Sequence, residues 1–245
     1  MRRIIKAASP VAFEDWKSTN KPTTWEALQN DPPYPEEGVI YYSKRNLREA
    51  LLIEQGFICC YCQCRIENTE HTVIEHWYPR NGADKLQGAA KTFDHDNLMA
   101  ACDGGESENK TQAAAEMKPY PVWCDKSKGR RTIALSPLQP DIESRFQYTQ
   151  VSIDEVRISP ITNLDLEAGE TLGFLNLNTP FLEKRRGEAI AGLIIEDTET
   201  NTLISAADAA VLLANLEAQV QAVPIERLSP FYTVKVHFLR LISGK

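Results

Sequence analysis

From Ser43 onward the chain reads as a helix. Leu47, Ala50, Leu51 and Glu54 recur at helical spacing, Ser43 suits the N-cap, and Gly56 ends the run. Residues 1–40, by contrast, are rich in proline and turn formers, with Pro10, Pro22 and DPPYP at 31–35. That pattern predicts an extended N-terminal arm with short helices around Trp16 and Trp25. Beyond Gly56, Val73 to Trp77 predicts a short strand and 80–96 a loop. Residues 104–121 predict an inserted loop with one helical turn at its alanines, and Arg131 to Leu135 a strand closed by Ser136-Pro137. Alternation over 146–158 predicts a hairpin. The rest reads as helical: Thr179-Pro180 supplies a cap and a first-turn proline, Ser205 opens an alanine- and leucine-rich helix, and Ser229-Pro230 opens a third. The expected class is α+β, divided into an arm (1–40), a central domain (41–135) and a mainly helical C-terminal region (136–245). No internal repeat or low-complexity tract interrupts it.

The 245 residues are enough to bury a real core. No apolar run approaches the ~18 residues of a membrane span. The opening MRRIIKAASP has a basic flank without an apolar stretch, so no secretory signal is expected and a cytoplasmic location is the default. Six cysteines in a reducing compartment point to metal binding or reactive thiols rather than disulfides. The net charge of −7 opposes stand-alone binding of a polyanion, so a nucleic-acid function would need a local basic patch or a partner.

All six cysteines fall in the central domain. Cys59 and Cys62 have the two-residue gap that lets two thiolates reach one tetrahedral zinc, and Cys102 and Cys124 downstream could complete a four-thiolate site. Cys60 and Cys64 could also ligate; Cys59 and Cys62 are preferred because an aromatic residue, Tyr61, lies between them. Histidine is scarce, at 71, 76, 95 and 237 only. A Glu75-His76 pair alone is unspecific, and His237 reads as structural.

The order of these pieces carries more than any one of them. Cys59-Cys-Tyr-Cys62 is followed by Glu75-His76, by Asn97-Leu-Met-Ala-Ala-Cys102, and by Cys124-Asp125-Lys-Ser-Lys128-Gly129. Over about 57–131 this resembles the HNH endonuclease family. More narrowly it resembles the HNH subunits of Septu-type and retron-associated anti-phage defence systems, with their IEHW-like core, Cys-x-Gly-Gly stretch and Cys-Asp-x-x-Lys-Gly close.

The resemblance implies a ββα-metal nuclease core stapled by structural Zn²⁺, with His76 as general base, Asn97 orienting His76 by a hydrogen bond, and Glu75 and Asp125 holding a catalytic Mg²⁺ or Mn²⁺. Such chemistry requires an activated water and a cation against the crowded phosphate charge. Asn109, followed by Lys110, is the rival to Asp125, and His95 the rival to His76. Lys126, Lys128, Arg130 and Arg131 would form the nucleic-acid-binding patch, with Arg80, Lys85 and Lys91 nearby. Lys184, Arg185 and Arg186 read as a solvated face. The resemblance also implies an ABC/SMC-like ATPase partner. The competing reading is a non-catalytic zinc module that docks nucleic acid or protein; it would not need Glu75, His76, Asn97 and Asp125 together.

Overall fold

The computed structural model describes residues 1–30, 41–114, 119–197, 202–221 and 227–245. The DPPYP stretch lies outside the described residues. Helices α1 (Val11–Asn20) and α2 (Lys44–Gln55) come first. Strand β1 (Thr72–His76), α3 (Lys85–Ala90), β2 (Leu98–Cys102), α4 (Glu106–Ala114) and α5 (Cys124–Lys128) build the central part. Strands β3 (Phe146–Ser152) and β4 (Glu155–Pro160) form a hairpin, followed by α6 (Leu166–Leu175) and α7 (Pro180–Ile194). The short pair β5 (Ile195–Asp197) and β6 (Thr202–Leu203) precedes α8 (Ala206–Gln221) and α9 (Tyr232–Ser243). The chain is thus a mixed helix-and-strand protein. Among the described residues no helix is long and apolar enough to cross a membrane.

Where local chemistry dictates structure, the elements follow the pattern of the sequence. The Ser43 side chain accepts from Asn46 N at 3.1 Å, and Gly56 takes the left-handed conformation that closes α2. Thr179 and Ser205 cap α7 and α8 through Leu182 N and Asp208 N. Short helices do surround Trp16 and Trp25. Residues 1–30 nevertheless contribute Phe13, Trp16, Trp25 and Leu28 to the same hydrophobic cluster as the central and C-terminal stretches.

Four expectations are corrected. The 80–96 stretch contains α3, because Asp84 caps it by accepting from Gln87 N at 2.9 Å. Residues 104–121 carry a helix, α4, well beyond one turn. Residues 131–135 form no strand; the Leu135 carbonyl accepts instead from Trp77 Nε1 at 3.2 Å. Helix α9 begins at Tyr232 rather than at Pro230. Phe231 has φ +54° and donates its N–H to Gln63 O, and the Gln63 side chain caps Thr233 N at 2.9 Å.

Strands β1 and β2 pair antiparallel in the register Thr72↔Cys102 to His76↔Leu98. Helix α2 packs on both strands, and α5 packs on β2 and α6. This puts the end of β1, where Glu75 and His76 sit, next to α5.

Candidate active site and metal centre

The cysteine cluster is assembled from three places. Cys59 and Cys62 lie on a tight turn in which Cys59 N donates to Cys64 O at 2.9 Å and Gln63 takes φ +65°. Cys102 ends β2 and Cys124 begins α5. The intervening Gly104 and Gly105, at φ +65° and +90°, make this approach possible. A Cβ on Gly104 would meet Trp123 O at 2.3 Å, and one on Gly105 would press into the Trp123 ring at 2.4 Å.

The four sulfurs lie within 4.8 Å of one another, with Cys59–Cys124 at 3.8 Å and Cys62–Cys102 at 3.7 Å. Zinc–sulfur bonds of ~2.3 Å in a tetrahedron place sulfurs about 3.8 Å apart, so the set fits a zinc ion. Burial pushes the Cys62 and Cys124 thiols well above their usual range. Burial opposes ionisation at Cys59 too, but hydrogen bonds from Cys102 and Cys124 outweigh it and pull Cys59 well below. Four clustered thiols, three buried and Cys102 partly so, are a donor set that a divalent cation satisfies. Cys60 and Cys64 stand outside the four-sulfur group.

A cleft of about 250 Å³ opens beside this cluster, and its walls include Glu75, His76, Arg80, Asp125, Lys128 and Arg130. Glu75 is buried; its Oε1 accepts from Tyr61 OH at 2.8 Å and from Lys128 Nζ. Burial pushes its carboxyl well above the usual range, and the adjoining Asp125, which shares a hydrogen bond with it, adds to the rise; the Lys128 ammonium opposes both. The carboxyls of Glu75 and Asp125 thus adjoin on the cleft wall.

His76 is 7 % exposed, and its Nε2 lies 3.0 Å from the Thr92 carbonyl oxygen. A carbonyl only accepts, so Nε2 carries the proton and Nδ1 is left as the basic nitrogen. Burial lowers the His76 pKa to about 4. The Trp25 ring packs edge-on against the imidazole, with centroids 4.6 Å apart. The ring is therefore neutral at cellular pH and fixed in orientation.

Several residues expected at the site take other places. Asn97 does not bond the His76 ring: its Oδ1 accepts from Tyr78 N at 2.7 Å and its Nδ2 donates to Tyr78 O and Lys91 O. It clamps both ends of the 78–91 loop and so fixes Thr92, which in turn holds His76. Lys128 is 1 % exposed and binds Glu75 and the His76 carbonyl, so it is not a surface phosphate contact. Lys126 pairs with Glu106 at 2.5 Å. Arg131 donates to the Ser127 and Lys128 carbonyls and stacks on Phe174 at 4.8 Å. Of the proposed basic run, Arg130 alone is exposed on the cleft wall. Asn109 exchanges two hydrogen bonds with the Tyr120 backbone and is spent on the fold of the α4 region. His95 is buried between Glu54 and Lys6, away from the cleft walls.

Sequence reasoning missed Tyr61, Thr92 and Trp25 at this site. Tyr61 stood out only as an aromatic residue between ligands, and nothing in the local pattern marks Trp25, which arrives from 51 positions upstream of His76. Comparison with known proteins returned no matching family model and no matching curated sequence.

Proposed function

We propose that this chain is a metal-dependent endonuclease of the HNH type, hydrolysing phosphodiester bonds of nucleic acid. The observation that carries the reading is the cleft that gathers Glu75, a neutral oriented His76 and Asp125 beside a four-cysteine cluster. Supporting it are the antiparallel pair β1–β2 and helix α5 packed beside β2, elements that a ββα-metal core requires.

In this reading His76 Nδ1 takes the proton of the attacking water, while the Thr92 carbonyl steadies the imidazolium that forms. Glu75 and Asp125 would hold a Mg²⁺ or Mn²⁺ ion, whose charge when bound offsets that of the phosphate and leaving oxygen. Lys128 fixes Glu75 and the end of β1, and Arg130 on the cleft wall would face the phosphate, with Arg80 on the same wall paired to Glu26 at 3.5 Å. Cys59, Cys62, Cys102 and Cys124 would hold Zn²⁺ and lock α5 against β2.

The proposal extends to a role as effector nuclease of an anti-phage defence system, working with an ABC/SMC-like ATPase. Two things support it: the sequence resemblance, and the engagement of Lys126, Lys128 and Arg131 within the protein itself on a chain of net charge −7, which leaves the grip on nucleic acid to a partner. The test is cleavage of DNA and RNA by the full chain, in Mg²⁺ or in chelator, repeated with any ABC/SMC-like ATPase encoded beside it. Metal-dependent cutting that disappears in His76→Ala supports the reading; cutting by His76→Ala at the wild-type rate refutes the mechanism.

A further inference from the structure

Outside the cleft, a second group of ionisable side chains is packed away from water. Lys6 Nζ donates to Glu54 Oε2 at 2.6 Å and to the Leu98 carbonyl at 3.1 Å, and lies 3.4 Å from His95 Nε2. The side chains of Lys6, Glu54 and His95 are at most 10 % exposed. The other Glu54 oxygen accepts from Ala7 N at 3.1 Å, which ties the N-terminal segment to α2. A buried ion pair seldom stabilises a fold more than apolar side chains of the same volume would. What this one does fix is the place of the 95–98 backbone.

The His76 ring depends on that backbone. Leu98 stands opposite His76 in the β1–β2 register, and Trp77 N donates to Asn97 O at 3.0 Å, one residue further along the same ladder. The 95–97 turn starts at His95 and ends at Asn97, whose side chain clamps Lys91 O and the Tyr78 backbone. Next to Lys91 is Thr92, whose carbonyl meets His76 Nε2. Helix α1 holds the same stretch from its other end. Lys17 Nζ donates to the Phe93 carbonyl at 3.2 Å, and the Phe93 ring lies 5.6 Å, centroid to centroid, from the Trp25 ring that packs on the imidazole.

We infer that Lys6 is a positioning residue for His76: through Leu98 and the 95–97 turn it keeps the 91–98 segment where the Thr92 carbonyl meets Nε2, which leaves Nδ1 as the basic nitrogen. The inference rests on the nuclease reading for its effect on catalysis. Lys6 itself is absent from the cleft walls. Without its hold, Thr92 O is free to drift from Nε2, and a neutral imidazole deprived of that acceptor divides its proton between the two nitrogens. A ring with the proton on Nδ1 accepts none there from water. A misplacement of about 1 Å at a catalytic group costs up to ~10²-fold in rate.

The experiment uses the full-length protein with ¹⁵N-labelled histidine. Long-range ¹H–¹⁵N spectra near neutral pH report the tautomer of each ring, and the His76 signals are those missing from His76→Ala. Wild type is expected to show the single Nε2–H tautomer at His76. Lys6→Met, which keeps length and removes the charge and the donors, is expected to show a mixture, with kcat lowered ~10-fold or more and KM little changed. Leu213→Ala, at a buried position on α8, is the control for lost stability: it should lower Tm and leave the His76 tautomer alone. Should the unpaired Glu54 unfold Lys6→Met, the double variant Lys6→Met with Glu54→Leu removes both charges and tests the same contact.

A single Nε2–H tautomer in a folded Lys6 variant overturns the inference, and if wild type cuts, the nuclease reading stands without it. A mixture in Leu213→Ala as well shows general loosening and overturns it too, as does failure of both Lys6 variants to fold. A mixture confined to the Lys6 variant, with kcat unchanged or with no cutting by wild type in Mg²⁺ or Mn²⁺, supports the positioning; the first outcome refutes His76 as the base, and the second sinks the nuclease reading.

Discussion

Replacing Lys128 by methionine separates a structural lysine from a substrate-binding one. The ammonium is 1 % exposed and donates to Glu75 Oε1 and to the His76 carbonyl. Methionine keeps the length and removes the charge and the donors. Glu75 is then a buried carboxylate with Asp125 beside it and Tyr61 as its remaining donor. Breaking a buried pair by removing one partner costs ~3–5 kcal/mol. For a chain of 245 residues that lowers Tm by roughly 6–20 °C, at about 2–4 °C per kcal/mol. The cost has a pH signature in chelator. Without Lys128 the Glu75 pKa rises further above its unfolded value, so the folded state binds the extra proton and stability falls as pH rises above the ordinary carboxylate range. The variant should be nearest wild type around pH 5 and furthest from it near pH 8. Adding Mg²⁺ should raise its Tm more than that of wild type, because a cation between Glu75 and Asp125 replaces the lost charge. The assay is differential scanning fluorimetry across pH, with and without metal. A Tm within a degree or two of wild type, together with weakened oligonucleotide binding, would refute this reasoning and return Lys128 to the role of a phosphate contact.

The protein should carry about one tightly held zinc per chain by elemental analysis; Cys124→Ser should lose it and unfold the α5 region, because structural zinc contributes folding free energy directly. His76→Ala should lower the cleavage rate by ~10² to 10⁴ while leaving zinc content unchanged. Asn97→Ala should destabilise the 78–91 loop by ~1–3 kcal/mol through its orphaned backbone partners, read as faster hydrogen exchange there. His95, whose pKa burial and the neighbouring Lys6 lower to about 4, is protonated more readily when unfolded. Its share of stability should therefore rise with pH between about 4 and 6.5, by up to ~2–3 kcal/mol, and His95→Gln should reduce the observed slope in urea titrations, leaving the part due to His76.

What the sequence made legible was local. Ser43 and Gly56 delimit α2 by cap chemistry, the 146–158 alternation survives as β3–β4, and the Cys59/Cys62 spacing with Cys102 and Cys124 picks out the four sulfurs that the fold brings together. What it hid depends on partners distant in the chain. Asp84 was readable as a cap in principle, but the six-residue α3 gives little periodicity to see. Residues 131–135 have the composition of a strand and lack a neighbouring ladder, since Trp77 takes the Leu135 carbonyl. Lysine at 128 looks like surface charge beside Lys126 and Arg130. Only the fold shows that it reaches a carboxylate 53 positions upstream. Asn97 was placed beside His76 by motif order, yet it acts two contacts away, through the 78–91 loop and Thr92.

These indirect connections explain why the metal cluster and the cleft should stand or fall together. Helix α5 is five residues long, too short to be stable alone. It carries Cys124 to the sulfur cluster, Asp125 to the cleft and Lys128 to Glu75. From the opposite side, the Cys59–Cys62 turn carries Tyr61, whose hydroxyl donates to the same Glu75 oxygen. Every polar contact to that oxygen thus originates within four residues of a cluster cysteine. Thiolate ligation of one ion would fix α5 and the turn at both ends, and with them the donors around Glu75. An ion held there would do more than hold the domain shut: it would set the spacing of Glu75 and Asp125. The His76 backbone carbonyl accepts from Lys128 of α5, but its ring is oriented by Thr92 and Trp25, which answer to the 78–91 loop and the N-terminal segment.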